Sequence, residues 1–303
     1  MNDAPGVSVI VPVYNAAATL PPLLGSLGAQ VSHALGETEF LLVDNGSTDE
    51  SLDVLERSSL GNLTVLREPK RGPAAARNRA LAAARGDVLA LLDADCVPTR
   101  GWLRALVEPF TNPNVVLVAG GLASYPPKTG AQRFAARYGL NEAARAVYNP
   151  MLPFANTRNM AVRRAAAEAV GGWPEDLIHG EDVDFSHALR SRFGVTIKFQ
   201  PDALAFHQDR ESDEDLRRQA FSYGRGTAVL YRRHADEVSW TVPMRLHRLR
   251  RSTQRRVSAR IAALGRRLGR VSADDAEFAA YLVMWDTWFW RGFVAGRRAS
   301  RDE

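Results

Sequence analysis

Five short apolar runs, spaced so that a helix fits between each pair, restrict the fold of this chain more than any other feature. They read VSVIVPVY, EFLLVDN, LTVLRE, DVLALLDAD and VVLVAGG, all within the first 122 residues. Runs of successive apolar residues describe strands buried on both faces. The intervening segments read as helices. TLPPLLGSLGAQ follows a Thr cap and carries prolines in its first turn, and STDESLDVLERS has acids at its start. GPAAARNRALAAAR is alanine-rich and ends at Gly86, and TRGWLRALVEPF is the fourth. This alternation predicts an α/β fold with a mostly parallel central sheet and helices on both faces. Beyond residue 122 the rhythm changes. QRFAARYGLNEAARAVY reads as one long helix, PFANTRNMAVRRAAAEAVGG as a loop entering a helix, and GEDVDFSHALRSRFG as a helix followed by a short strand, VTIKFQ. DEDLRRQAFSYGRGTAVLYRRH is helical again, and a basic then aromatic helical extension occupies residues 236–303.

Charge and cysteine content narrow the classes of function. The net charge of +5 is concentrated in LHRLRRSTQRRVSAR and LGRRLGR. Such a block suits phosphates, anionic lipid heads or nucleic acid, or is a solvated arginine face. Cys96 is the single cysteine, which excludes an internal disulfide and a Cys-rich zinc site and suits a reducing compartment. MNDAPGVSVIVPVYN has no basic-then-apolar leader pattern, and no run reaches the roughly 18 apolar residues of a spanning helix. A cytoplasmic chain, either soluble or peripheral at the inner face of a membrane, is therefore expected. In YLVMWDTWFWRGF, Trp285, Trp288 and Phe289 have helical spacing. They serve a helix packed against the rest of the chain, or a lipid or homodimer contact.

Ligands of open parallel sheets bind at the carboxyl ends of the strands, so those ends carry the chemistry. Strand 1 ends in Pro12, Tyr14 and Asn15, strand 2 in Asp44, Ser47 and Asp49, and strand 4 in Asp93 and Asp95. An acid-x-acid pair alone is weak, because 34 acidic residues in 303 give about four matches by chance. Glu37/Glu39 and Asp213/Asp215 are two others. Position separates Asp93 and Asp95, which leave the buried run VLALL. Two carboxylates there repel unless a cation intervenes, and Mg²⁺ or Mn²⁺ is the fitting one. A solvated loop capping a helix is the other reading. Arg71 and Arg77 flank a helix start that suits phosphate. No Gly-x-Gly-x-x-Gly follows strand 1, which argues against dinucleotide chemistry.

SVIVPVYN, LLVDNGSTD, GPAAARNRAL and LLDADC, in this order, together with GEDVDFSHALR and AFHQDR, resemble a family 2 glycosyltransferase of the GT-A fold over residues 6–230. The resemblance implies an enzyme that moves a sugar, a hexose in the first instance, from a nucleotide-diphosphate donor to a hydroxyl acceptor with inversion, aided by Mn²⁺ or Mg²⁺. The acceptor is a glycan, a lipid-linked molecule or a small molecule, and nucleic acid is not a partner. Residues 1–235 would be the catalytic domain, with a nucleotide-binding half (1–122) and an acceptor half (123–235). Pro12, Tyr14 and Asn15 would line the nucleoside pocket, with Asp44, Ser47 and Asp49 at the base. Arg77 would lie near the base or diphosphate. Asp93 would contact ribose or metal, Asp95 would bind the metal, and His207 would be a further ligand. Asp182 would be the catalytic base, with Glu181 as the alternate. In NTRNMAVRR, Asn156, Arg158 and Asn159 would lie near donor sugar or acceptor, and Arg225 in YGRG would close over the diphosphate, although a helix interruption explains those glycines equally. A sugar nucleotidyltransferase would need a glycine-rich phosphate loop after strand 1, which is absent. A non-catalytic nucleotide-sugar or polysaccharide binder would not need the acids and His207.

Overall fold

The predicted strands share one sheet. β1 (Val7–Val13), β2 (Thr38–Asp44), β3 (Leu63–Arg67) and β4 (Val88–Leu92) are joined by β5 (Cys96–Pro98), β6 (Leu117–Ser124), β7 (Asn159–Arg163) and β8 (Ile197–His207). The order across the sheet is β3-β2-β1-β4-β7-β6-β8-β5. The structure is a computed structural model and describes residues 5–30, 37–177, 179–238 and 241–298; the first four residues of the leader reading and the last five of the extension lie outside these. The chain divides into two units, one of Met1–Tyr125 and Asn141–Gln208, the other of Pro126–Leu140 and Asp209–Glu303.

In the first unit, β1 runs parallel to β2 and β4, and β2 to β3. Val9 and Val11 enter one hydrophobic core, and Ile10 between them enters another, as the two-residue period of a strand requires. Both faces are thus covered, on one side by α1 (Leu20–Gly28) and α4 (Trp102–Val107), on the other by α3 (Pro73–Leu81) and α8 (Glu181–Phe193). The segment expected as a loop before a helix contains β7, which runs antiparallel to β4 and β6. Its five residues pass into α7 (Arg164–Ala169) without a turn residue to mark the boundary. β8 is longer than the predicted VTIKFQ and shifts register opposite Gly120 and Gly121. Side chains at Gly121 would strike the Pro201 carbonyl, 2.5 Å from a built Cβ.

Three local expectations change. Thr19 does not cap α1; its hydroxyl donates to the Ala16 carbonyl at 3.1 Å. α3 stops at Leu81, and Gly86 instead lets its backbone approach β1, where a Cβ would lie 2.5 Å from the Ser8 nitrogen. QRFAARYGLNEAARAVY is two helices, α5 (Gly130–Tyr138) and α6 (Ala143–Val147), because Gly139 adopts φ 73° and ends α5.

The second unit consists of α5, α9 (Asp213–Arg233), α10 (Val242–Arg267) and α11 (Ala273–Arg298). Phe134, Leu216, Ala220 and Trp285 form its core, with Tyr138 and Tyr281 ringing Phe134 at 5.2 and 5.6 Å. The α11 aromatics therefore serve helix packing within this unit. YGRG neither interrupts nor bends α9 out of its helix. Gly224 lies against the Phe289 backbone and Gly292 against the Phe221 backbone, so the glycines permit close approach of α9 and α11. No helix among the described residues is long and apolar enough to cross a membrane.

Candidate active site

Strand register sets the site. Val13 lies beside Asp44 across β1 and β2, so Tyr14 and Asn15 emerge next to the turn that leaves β2. Asn15 adopts φ 48° and joins the two loops: its N–H donates to Ser47 Oγ at 3.1 Å, and its Oδ1 accepts from the Thr48 N–H at 2.8 Å. Asp44, buried, accepts from the N–H groups of Gly46 and Ser47 at 3.3 and 3.2 Å. Those bonds leave its carboxylate with further acceptor capacity. Asp49 accepts from Ala17 N–H at 3.1 Å and Ser51 N–H at 3.0 Å. Burial works against its charge, yet these bonds and the Ser51 hydroxyl hold it below the usual carboxylate range. Pro12 is half-buried in β1, opposite Val43. Tyr14 is 47 % exposed, and the Arg71 guanidinium lies 3.6 Å from its ring centre. Arg71 is anchored by the carbonyls of Gly46 (2.8 Å) and Asn45 (3.2 Å). It makes a cationic lid on an aromatic platform, a role its place beside GPAAAR did not reveal.

The second half of the site is a buried charge chain. Arg77, expected near base or diphosphate, is only 2 % exposed and grips two carboxylates, Asp93 Oδ1 at 3.0 Å and Glu181 Oε1 at 2.9 Å. Burial opposes its charge, but Asp93 and Glu181 more than compensate and raise its pKa. Its Nε has no partner among the described residues. Gly180, at φ 93°, turns the chain sharply into α8, so that Glu181 and Asp182 open the helix. Asp182 is half-buried and accepts from its neighbour Val183 N–H at 2.9 Å. Burial, then the adjacent Glu181, push its carboxyl up to about 7 against the pull of Arg77 and Arg158. Arg158 precedes β7, whose Asn159 lies opposite Leu92, and donates to Asn141 Oδ1 at 2.6 Å and Asn156 Oδ1 at 3.0 Å. Asn159 is a core tie: it accepts from Trp102 Nε1 and donates to the carbonyls of Gly121 and Ala203, each at 2.7 Å.

β5 pairs Cys96 with His207 on β8. Asp95 therefore faces His207, Oδ2 to Nε2 at 3.5 Å, while its carbonyl accepts from Gln208 N–H at 2.9 Å. One carboxylate oxygen and one imidazole nitrogen at this spacing can share a cation that each holds at ~2.0–2.2 Å. The mixed donor set favours Mn²⁺ over Mg²⁺, which prefers oxygen. Asp93, through its bond to Arg77, is tied to the base side. Cys96 is fully buried; burial, then Asp95 and Asp93, push its thiol well up, so it stays protonated packing. Arg225 lies on α9 of the second unit.

The chain matches the family described as Glycosyl transferase family 2 over residues 8–171. It is 35% identical over 249 residues to the pre-mycofactocin glycosyltransferase of Mycobacterium tuberculosis, covering 77% of this chain and 49% of that protein. It thus spans about half the length of that relative. It is 33% identical over 230 residues to glycosyltransferase AglE of Haloferax volcanii, covering 74% of each. Among solved structures, a mannosyltransferase from Pyrobaculum calidifontis in complex with GDP-Man and Mn²⁺ aligns with a TM-score of 0.66 at 20% identity, over 97% of this chain and 87% of that one. The fold is the GT-A fold of glycosyltransferases. With the match running through more than half of its residues, the chain belongs to glycosyl transferase family 2.

Proposed function

We propose that the chain is an inverting, metal-dependent glycosyltransferase that moves one sugar from a nucleotide-diphosphate sugar to a hydroxyl acceptor. The observation that carries this reading is the place of Asp182, at the opening of α8 beside the Glu181 that Arg77 ties to Asp93. The Asp182 carboxyl, pushed up to about 7 by burial and by Glu181, has the affinity for a proton that a general base needs near neutral pH. Glu181 is paired with Arg77, which leaves Asp182 as the base. The acceptor oxygen attacks the anomeric carbon as the bond to the diphosphate oxygen breaks, and the hydroxyl proton passes to Asp182. Arg77 holds the Glu181 and Asp93 side chains in place beside this event. Tyr14 and Arg71 offer a stacking surface for the nucleobase, and Asp44 an acceptor for its N–H groups. Asp95 and His207, with Asp93 nearby in sequence, would hold a divalent cation, which would supply positive charge for the departing diphosphate.

The complex of the Pyrobaculum mannosyltransferase with GDP-Man and Mn²⁺ supports this donor class and this ion. The test is a panel of nucleotide-diphosphate sugars, each with and without Mn²⁺, read by thermal shift and by released nucleotide. At least one donor should stabilise the chain only with Mn²⁺, and Asp95→Ala should remove that dependence. No metal-dependent shift with any donor would overturn the reading.

A further inference from the structure

α10 is amphipathic in the reverse sense for a helix of a folded unit. Three of its polar side chains turn inward, toward α11. Ser252 bonds Asp286, Arg255 Nη1 donates to Asp286 Oδ1 at 2.7 Å, and the Arg248 guanidinium lies 3.9 Å over the Trp290 ring. Its large apolar side chains turn outward. Leu246, Leu249, Val257, Ile261 and Leu264, followed by Leu268 at the helix end, are between 48 and 64 % exposed. Their steps of three, four and eight residues place them on one stripe of the helix. Of the eleven large apolar side chains exposed among the described residues, these are six, so the patch is not ordinary surface scatter. Arg250, Arg260 and Arg267 stand three or four residues from members of the stripe and are exposed. Residues 242–270 hold ten arginines and no acid.

We propose that the outward face of α10 lies in the boundary between headgroups and acyl chains of an anionic bilayer. Both halves of the face need a partner. The stripe needs an apolar medium, and the arginines need negative charge without displacing the stripe. A second copy would bring the exposed Arg250, Arg260 and Arg267 against like charge, whereas anionic lipid meets both demands at once. Trp285 of α11 takes no part, because it lies in the core of the second unit. This inference is independent of sugar transfer, and either can fail without the other.

The test is co-sedimentation of the full chain with phosphatidylglycerol–phosphatidylcholine vesicles and with pure phosphatidylcholine vesicles. The chain should bind the anionic vesicles and release them as salt is raised. Ile261→Gln with Leu264→Gln, and separately Arg250→Gln with Arg260→Gln and Arg267→Gln, should each weaken binding at least about tenfold. A second readout is independent of these variants' folding. Cys96 is fully buried, so an Ile261→Cys variant can be labelled at one site with a polarity-sensitive dye. Its emission should shift to the blue on adding anionic vesicles. Equal binding to both vesicle types, unchanged binding by the Ile261/Leu264 variant, or an unshifted dye would overturn the proposal. So would a vesicle-free dimer that the Ile261/Leu264 variant dissolves, which would assign the face to a second copy.

Discussion

Two side chains, Asp182 and Arg77, carry the proposed chemistry at the scale of the residue. Asp182→Asn keeps the shape but cannot take a proton, so turnover should fall about 10²–10⁴-fold with donor binding retained, as released-nucleotide assays and donor titration would measure. The same residue shapes stability. The folded chain holds this proton from the ordinary value of 3.8 up to about 7, so over that window it binds more protons than the unfolded chain. Stability must then fall as pH rises through the window, and Asp182→Asn should flatten that fall in urea titrations at about pH 5 and about pH 8. Arg77→Met leaves two carboxylates without their cation and should cost about 3 kcal/mol by urea denaturation, the lower end for a buried pair because Asp93 is partly wet. Since Arg77 also holds the Asp182 carboxyl down, the acid limb of the rate profile should move to higher pH in any Arg77→Met enzyme that folds.

Among elements, the α9–α11 contact makes the sharpest prediction. A methyl at Gly224 or Gly292 would meet backbone of the facing helix, which cannot move aside as a side chain can. Either change to Ala should destabilise by about 2–3 kcal/mol, and Gly296→Ala, where the nearest atom is 2.8 Å away, by less; thermal unfolding ranks them. This contact also shows what the sequence could and could not convey. The parallel strands, the strand-end acids and the helix opened by Glu181 and Asp182 were legible, because each is written in adjacent residues. β7 was not, since its five residues, only three of them apolar, run straight into α7 without punctuation. The Arg77–Glu181 bond joins positions 104 apart, which no local pattern encodes. Periodicity identified helices in the extension but not which face each turns inward: of the tryptophans read as surface or packing, Trp285 is core, while YGRG in α9 is no break, and its Gly224 meets the α11 backbone.

For the molecule as a whole, charge is segregated. Ten of its 39 basic residues and none of its 34 acids fall within residues 242–270, so the rest of the chain is net negative. Retention on a sulfonate matrix near neutral pH should depend on that segment. Replacing Arg250, Arg260 and Arg267 with Gln should lower the eluting salt far more than replacing the exposed Arg57, Arg100 and Arg104, although net charge changes equally. The pairing of β5 with β8 has a temporal consequence. Thr99 bonds the Leu204 carbonyl across 105 positions of chain, so Asp95 meets His207 only after most of the first unit has been made and collapsed. On a ribosome the two halves of the proposed cation site emerge far apart in time. An ion bound there would arrive too late to guide folding and would act as a latch, leaving the refolding rate alone and slowing escape from the native state.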